Sequence, residues 1–386
     1  EAILAGRPGI SVIDQTWVAD QPAKIAGLLA VEPGTILEKH ETRRMDRSQQ
    51  SALIAAREAW EDAGSPTVDL ERLGTVIATG VGGITSLMAA YDTLLERGPS
   101  KISPHMVTMI MPNGPAAIVG LEFGARAGVH TPVSACSSGA EAISYAARMI
   151  QTGRADIVIA GGTEAAIHPV TMAGFAQMRA LSTRNDDPQA SSRPYDIDRD
   201  GFVMGEGAGV VILESEEHAT ARGATILGRY AGAGLTSDGH HIAQPDPEGA
   251  GAARAITEAL KEAHLTPADI VHVNAHATST PQGDIAEATA IRLALGSAVD
   301  NIYVAGTKSM TGHLLGGAGA IESIYSILAL RDRKAPPTAN LDNIDPEIDL
   351  NVGNNGPVDL PQGDIAAINN SFGFGGHDVA VIFRSV

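Results

Sequence analysis

The chain has few of the residues that mark exported, metal-rich or nucleic-acid-binding proteins. Its 386 residues contain one cysteine, Cys136, which excludes an internal disulfide and a cysteine-rich metal centre. Lysine and arginine number 27 against 45 aspartates and glutamates, and the resulting net charge of -18 repels nucleic-acid phosphates and anionic lipids. We therefore expect no nucleic-acid partner and no membrane partner.

Long hydrophobic runs and a targeting signal are also missing. The longest stretch without a charged residue, Ile102–Leu121, is interrupted by prolines, so it cannot form one membrane-spanning helix. The opening segment EAILAGR lacks the basic, apolar and small-residue order of a signal peptide. Together with the single cysteine, this predicts a cytoplasmic protein.

Glycine and proline are abundant, with 43 and 21 residues, which indicates many turns. At about 150 residues per domain, the length allows two or three domains or one large fused unit.

Two distant segments repeat one order of elements. A helix is predicted over Ala52–Gly64 and a buried strand over Leu73–Thr79, and the same pair recurs as Ala252–His264 and Ile270–Ala275. Each pair precedes a small-residue turn that opens a helix, and then another apolar strand.

The alternation of helices with short apolar strands predicts mostly parallel sheets covered on both faces. We interpret the chain as a duplicated α/β unit. The apolar stretch Gly207–Glu214 closes the first half, so the predicted halves are residues 1–220 and 221–386.

Cys136 lies in the first of these turns, where Ser137, Ser138 and Gly139 leave room for a ligand at a helix N-terminus. The free N–H groups and the helix dipole would stabilise a nucleophilic thiolate there. A buried packing cysteine is the alternative.

His276 and His313 each follow a predicted strand of the second half, among small residues. With Cys136 they suit nucleophilic catalysis with two general donors. A metal site is the competing interpretation, but His272 and His276 lie on a strand and no cysteine pair is available. Lys308 and Glu322 flank His313 and could lie around one helix N-terminus, although a structural ion pair explains them equally well.

No glycine-rich segment completes a dinucleotide-binding or phosphate-binding loop, and the serine-hydrolase motif G-x-S-x-G is absent. Four other motifs follow one another along the chain and, taken together, are highly specific. They are VSACSSG around Cys136, VNAHATST around His276, GTKSMTGHLLGGAGAIES around His313 and NSFGFGGHD near the end of the chain. In these motifs the chain resembles the β-ketoacyl-acyl carrier protein synthases, most closely the bacterial fatty-acid elongation type.

The resemblance implies a thiolase-like fold, with two similar α/β halves in five layers αβαβα, and a homodimer. It implies no cofactor, and an acyl carrier protein as partner. Cys136 resembles the acyl-accepting nucleophile, and His276 and His313 the pair that supports decarboxylation of a malonyl unit. Lys308 resembles the lysine near that pair, and Glu322 the carboxylate behind it.

Further roles follow from the same resemblance. Phe374 resembles a gating residue in a mobile glycine loop. Thr278 and Thr280 match threonines that bind the phosphopantetheine arm. The acyl pocket would use Met111, Phe202 and Phe372, although plain core packing is the alternative for isolated apolar residues.

Carrier docking is expected on a basic cluster in this acidic chain, for which a solvated helix start is the alternative. The cluster consists of Lys39, Arg43, Arg44 and Arg47. A monovalent cation is also implied by resemblance near Asn274, Glu322, Asn369 and Asn370. The chain departs from the family pattern at Ala277, where glycine is usual, and at Asp378, where asparagine is usual.

Three other functions are alternatives. A type II polyketide ketosynthase remains open, since its motifs are similar. A degradative thiolase needs a second cysteine, and a non-catalytic chain-length-factor-like partner lacks the nucleophile. The function that the resemblance implies is condensation of an acyl-enzyme with a malonyl thioester in fatty acid biosynthesis.

Overall fold

The computed structural model describes residues 1–354 and 356–386. Its helices are α1 (Lys39–Thr42), α2 (Arg47–Asp62), α3 (Ile84–Arg97), α4 (Met106–Ile110), α5 (Gly114–Phe123), α6 (Ser138–Gln151), α7 (Pro169–Gln177), α8 (Glu216–Ala221), α9 (Ala250–Ala263), α10 (Pro281–Leu295), α11 (Lys308–Thr311) and α12 (Ala318–Asp332).

The strands are β1 (Ile10–Val12), β2 (Ile25–Gly27), β3 (Leu73–Ala78), β4 (Gly128–His130), β5 (Ile157–Glu164), β6 (Gly207–Glu214), β7 (Arg229–Ser237), β8 (Ile270–Asn274), β9 (Tyr303–Ala305), β10 (Lys334–Ala335), β11 (Val358–Asp359), β12 (Ala366–Gly373) and β13 (His377–Arg384).

Two main sheets are built, one from each half. The first has the order β4-β3-β5-β6 and the second β7-β13-β12-β8-β9. The strands pair in parallel from β4 to β5 and from β12 to β9, as expected. The other pairings, β5–β6, β7–β13 and β12–β13, are antiparallel, so the sheets are mostly but not wholly parallel. For β12 and β13 the reason is the short connecting loop, which can only form a hairpin.

Helices cover both faces of each sheet. The first sheet packs against α2 and α5 on one side, the second against α9 on its outer side, and α6 and α12 lie between the sheets. From one outer side of the molecule to the other, the layers are thus αβαβα. The first sheet ends with β6 and the second begins with β7, and the division at residue 220 stays a prediction.

The repeated helix and strand pairs are present with shifted ends. The first helix starts five residues before the predicted Ala52, because Asp46 caps it: its carboxylate accepts from Ser48 N, and Gln49 bonds back to Asp46 N. Such a capping box satisfies free N–H groups in the first turn.

Close contact between α6 and α12 brings the two halves together. A methyl group built at Gly139 would lie 2.8 Å from Ala320 N, and one at Gly319 would lie 2.8 Å from Ala140 N. Only glycine allows these backbones to approach so closely. The segments that precede the two helices, which carry Cys136 and His313, therefore meet at the centre of the molecule.

No helix within residues 1–354 and 356–386 is both long and apolar enough to span a membrane.

Candidate active site

Cys136 lies on a tight turn at the N-terminus of α6. The turn is a single 3-10 turn, Ala135–Ser137, and Ala135 has a left-handed φ of 51°. The Ser137 hydroxyl lies 2.8 Å from the carbonyl oxygens of Ser371 and His377, which ties the turn to the β12–β13 hairpin. Cys136 itself is 8% exposed.

Burial decides the ionisation of this thiol. Loss of solvent raises the pKa of Cys136 to about 12, against the smaller lowering effects of Lys308 and of the Phe374 and Cys136 N–H groups. The sequence-based expectation of a stabilised thiolate was therefore wrong for this conformation, because desolvation outweighs the helix N-terminus. The two N–H groups still face the sulfur and form a ready oxyanion site.

His276 is held by a carboxylate that sequence analysis missed. The N–H groups of His276 and Ala277 donate to Glu287 at 2.8 and 2.6 Å, and Asn370 donates to the same carboxylate at 3.3 Å. Glu287 is buried on α10, and burial raises its pKa. The one signal in the sequence is a glutamate within the otherwise uncharged segment IAEATAI.

His313 is fixed through its backbone. Its N–H donates to Val203 O at 2.7 Å and its carbonyl accepts from Gly205 N at 2.8 Å. The ring lies edge-on to Phe202 at 5.3 Å between centroids, and to His276 at 5.3 Å and 86°. The two imidazoles predicted to act together are thus neighbours.

Both histidines are neutral at physiological pH. Burial and the nearby Lys308 lower the pKa of His276 and of His313 well below 6.5. The Lys308 ammonium, which can only donate, lies 3.4 Å from His276 Nδ1. The proton of His276 is therefore on Nε2, where it can be donated to a ligand.

Lys308 and Glu322 form a buried ion pair. Lys308 Nζ donates to Glu322 Oε1 at 2.6 Å and to His276 O at 2.7 Å. Burial raises the pKa of Glu322 to about 7, opposed by Lys308. The two sequence interpretations, ion pair and active-site neighbours, thus describe the same arrangement.

A cavity of about 780 Å³ opens above the nucleophile. Among the predicted site residues, it is lined by Cys136, Phe202, His276, Thr278, Thr280, His313, Phe372 and Phe374. The hydroxyls of Thr278 and Thr280 lie 2.9 Å apart on its wall. Met111 is not part of this lining; it follows α4 and is 37% exposed. The chain alone thus does not bring Met111 into the pocket, contrary to expectation.

The predicted gating loop closes one side of the cavity. Phe374 lies 6.3 Å from Phe175 between ring centroids, and Gly375 and Gly376 have φ of 88° and 71°. The loop bonds to the segment after β7, since Gly375 N donates to Ile242 O at 2.8 Å and Asp238 N to Gly376 O at 3.0 Å. Mobility of this loop stays a prediction.

The unusual Asp378 faces a second acid at this loop. A methyl group at Gly251 would lie 2.2 Å from Asp238 Oδ1 and 2.6 Å from Asp378 Oδ2, so the carboxyls are close together. Burial first, and then Asp238, raise the pKa of Asp378 to about 8. Asp378 is therefore protonated at neutral pH and can donate to Asp238.

The members of the basic cluster differ in exposure. Lys39, Arg43 and Arg44 are exposed at α1 and just after it. Arg47 instead bonds Glu206 at 2.7 Å and Glu32 at 2.6 Å, and these partners raise its pKa. The guanidinium of Arg47 is thus paired within the chain, and its part in a docking surface stays a prediction.

The residues of the expected monovalent cation site are buried and offer oxygen ligands. Glu322 Oε2, Asn369 Oδ1 and Asn370 Oδ1 have no hydrogen-bond partner among the described residues, whereas Asn274 Oδ1 accepts from Thr307 at 3.2 Å. Carboxylate and amide oxygens suit a hard cation, so the set fits one. The cation itself stays a prediction.

Two family models match the chain. Beta-ketoacyl synthase, N-terminal domain, matches residues 1–219, and Beta-ketoacyl synthase, C-terminal domain, matches residues 227–342. The 3-oxoacyl-(acyl-carrier-protein) synthase 2 of Mycobacterium tuberculosis strain H37Rv is 51% identical over 384 residues, covering 99% of this chain and 91% of the relative. The protein of the same name from Synechocystis is 44% identical over 389 residues, covering 100% and 92%.

Solved structures of beta-ketoacyl synthases are also similar to this chain. A beta-ketoacyl synthase from Burkholderia phymatum is 34% identical with a TM-score of 0.90, covering 100% of this chain and 94% of that one. A chain of the solved complex of a type II polyketide acyl-carrier protein with its ketosynthase, bound to a hexaketide, is 32% identical with a TM-score of 0.91, covering 100% of this chain and 93% of that one. These likenesses confirm the predicted thiolase-like fold, and with the family models they show that the chain belongs to the beta-ketoacyl synthase family.

Proposed function

We propose that the protein condenses an acyl-enzyme with malonyl-acyl carrier protein and yields a β-ketoacyl-acyl carrier protein in fatty acid chain elongation. The observation that carries the proposal is that Cys136, His276 and His313 line one cavity, with both imidazoles neutral. Relatives named 3-oxoacyl-(acyl-carrier-protein) synthase 2 support the fatty-acid pathway.

The first step is acyl transfer. Cys136 sulfur attacks the thioester carbonyl, the carrier thiol leaves with the proton of Cys136, and an acyl-cysteine thioester remains. Because the thiol is protonated at neutral pH, its proton passes to the departing carrier thiolate as the acyl group is transferred. The N–H groups of Cys136 and Phe374 stabilise the oxyanion.

The second step is decarboxylative condensation. His276 and His313 donate through Nε2 to the thioester oxygen of the malonyl unit, which stabilises the enolate left when CO₂ departs. The enolate carbon attacks the acyl-cysteine carbonyl, the carbon–sulfur bond breaks, and Cys136 takes up a proton. No proton is removed from carbon, so no strong base is required.

The partner is an acyl carrier protein. Its phosphopantetheine arm would bind the hydroxyls of Thr278 and Thr280 on the cavity wall. The exposed Lys39, Arg43 and Arg44 supply a positive surface on an otherwise acidic chain, which suits an acidic carrier. The solved complex of a ketosynthase with its carrier supports such a partner.

A homodimer and a cytoplasmic location complete the proposal. Met111, exposed in the single chain, would reach an acyl pocket only across an interface between two copies. The one cysteine has no partner and suits a reducing compartment. Sedimentation of the purified protein tests the dimer.

The decisive experiment is intact mass after mixing with a long-chain acyl-carrier thioester, beside Cys136→Ala. We expect an acyl adduct on the wild type alone, and then its conversion to β-ketoacyl-carrier on addition of malonyl-carrier. No adduct on either protein would refute the enzyme function and favour a non-catalytic partner.

A type II polyketide ketosynthase is the second candidate, favoured by the solved structures of such enzymes at 30–32% identity. The same malonyl chase, without any reductant, separates the two. One two-carbon extension supports fatty-acid elongation, whereas a ladder of successive extensions supports polyketide synthesis.

A further inference from the structure

Glu164, at the end of β5, is a fully buried carboxylate between the two halves that no step above uses. Its Oε1 accepts from the Thr79 hydroxyl at 2.7 Å and from Val81 N at 3.3 Å. Its Oε2 accepts from Gly80 N at 2.8 Å and from Gly316 N at 3.0 Å. One oxygen therefore bonds both halves of the molecule.

The nucleophile turn and the histidine loop meet at this carboxylate. A methyl group at Gly80 would lie 2.9 Å from Glu164 Oε2, 3.2 Å from Ala135 O and 3.4 Å from Gly316 N. Ala135 precedes the nucleophile, and Gly316 follows His313 by three residues. Glu164 thus lies where the two segments meet.

The His313 ring depends on such backbone anchors. Its Nδ1 has no hydrogen-bond partner in the part of the chain that the structure describes, so no side chain or carbonyl fixes the ring through that atom. The loop is tied before the ring by Val203 and Gly205, and after it by the bond from Gly316 N to Glu164.

The Glu164 carboxylate does not favour the nucleophilic form of the Cys136 thiol. No lysine or arginine within residues 1–354 and 356–386 forms an ion pair with it, and burial raises the pKa of Glu164 to about 7. Its charge also raises the pKa of Cys136, which disfavours the nucleophilic form. A buried acid without a cationic partner lowers the stability of the fold, and its presence is typical of a functional position.

We propose that Glu164 is a positioning residue that holds the His313 loop against the nucleophile turn and so controls the decarboxylative condensation more than the acyl transfer. The inference rests on the proposed function. It acts through hydrogen bonds and not through charge, since the four donors are main-chain N–H groups and a hydroxyl.

The test separates the two steps in variants. Acylation is followed by intact mass with one equivalent of acyl-carrier, and condensation by rapid mixing of the isolated acyl-enzyme with malonyl-carrier. Glu164→Met, which accepts no bond from Gly316, should slow condensation by about 10- to 100-fold and acylation by less than about threefold.

Glu164→Gln is the conservative variant. Its oxygen can keep the bonds from Gly80 and Gly316 while its amide donates to the Thr79 hydroxyl, so both steps should stay within about fivefold of wild type. Adding Thr79→Val to Glu164→Gln removes the hydroxyl that accepts from the amide, and should again slow condensation more than acylation. Thr79→Val alone should not slow condensation selectively. The comparison of Glu164→Gln with and without Thr79→Val therefore tests the positioning role even if Glu164→Met does not fold.

Equal slowing of both steps in Glu164→Met, with a lowered Tm, would mean a structural role only and overturn the inference. So would unchanged condensation in a folded Glu164→Met. A Glu164→Gln defect as large as that of Glu164→Met would assign the effect to charge and overturn positioning by hydrogen bonds. If the wild type itself takes no acyl group, the proposed function fails instead.

Discussion

Lys308, in its ion pair with Glu322, has both a structural role and a role at the active site. Lys308 neutralises a buried carboxylate and also faces the backbone and ring of His276. Burying two charges is expensive, and their attraction offsets the expense only while both are present. Burial first, and then the same cation, lower the pKa of His276 and of His313, which keeps both imidazoles neutral.

Lys308→Met should destabilise the protein by about 3–5 kcal/mol at pH 8, because an unpaired Glu322 carboxylate is left buried. The free energy of unfolding from urea titration measures it. The double change Lys308→Met with Glu322→Gln should recover most of the stability but not the condensation rate. Arg331→Met, in an exposed pair with Asp332, is the control and should cost less than about 1 kcal/mol. A double variant no more stable than Lys308→Met would contradict the explanation.

The Cys136 thiol gives a second prediction at this scale. With its pKa raised to about 12, the thiolate fraction should rise about tenfold per pH unit across pH 7–9 without a plateau. Alkylation by iodoacetamide, followed by intact mass, measures this rise, and Cys136→Ala is the blank. A plateau below pH 9 would show that the free enzyme holds a stabilised thiolate after all.

The hairpin of β12 and β13 is the element that links nucleophile, gate and cavity wall. Its loop carries Phe374, its carbonyls bind Ser137 next to the nucleophile, and its second strand carries Asp378. Charged groups that face Asp378 are Asp238 and Asp246 from the segment after β7 and Arg254 from α9. The Asp378 and Asp238 carboxyls therefore lie close together between the hairpin and that segment.

Asp378→Asn should raise Tm relative to wild type by an amount that grows as pH rises. The pKa of Asp378 is raised in the folded state to about 8 from 3.8, so the folded state keeps a proton that the unfolded chain releases. The free energy of unfolding of the wild type therefore falls as pH rises between those values and does not change further with this group above about pH 8. Melting curves from pH 5 to 9 measure the difference. Asp364→Asn, an exposed carboxylate, should show no such trend. A difference independent of pH would refute the buried proton.

At the scale of the whole molecule, one small surface is positively charged while the chain as a whole is strongly negative. The net charge is -18, yet Lys39, Arg43 and Arg44 are exposed together near α1. Arg47, four residues on from Arg43, is partly buried and forms ion pairs with the exposed Glu32 and the buried Glu206. An acidic carrier would be repelled by most of the surface and attracted locally.

Arg43→Glu with Arg44→Glu should raise KM for carrier-bound substrate about tenfold or more while sparing a small thioester mimic, and the difference should shrink at high salt. Steady-state kinetics with both substrates measures it. Arg154→Glu with Lys261→Glu changes charge equally at other exposed positions and should leave both KM values near wild type. Equal loss for both substrates would refute docking at this surface.

The amino-acid sequence by itself determined the local features. Apolar spacing was sufficient for the repeated helices and strands, and small residues around Cys136, His276 and His313 marked these as site candidates, because both signals depend on neighbours in the chain.

Tertiary structure alone decided the rest. It raised the pKa of Cys136 by burial, committed Arg47 to Glu206 159 residues away, left Met111 outside the cavity, and placed Glu164 and Glu287 under the catalytic loops. Desolvation and long-range hydrogen bonds depend on which distant segments pack together, and no local pattern encodes that.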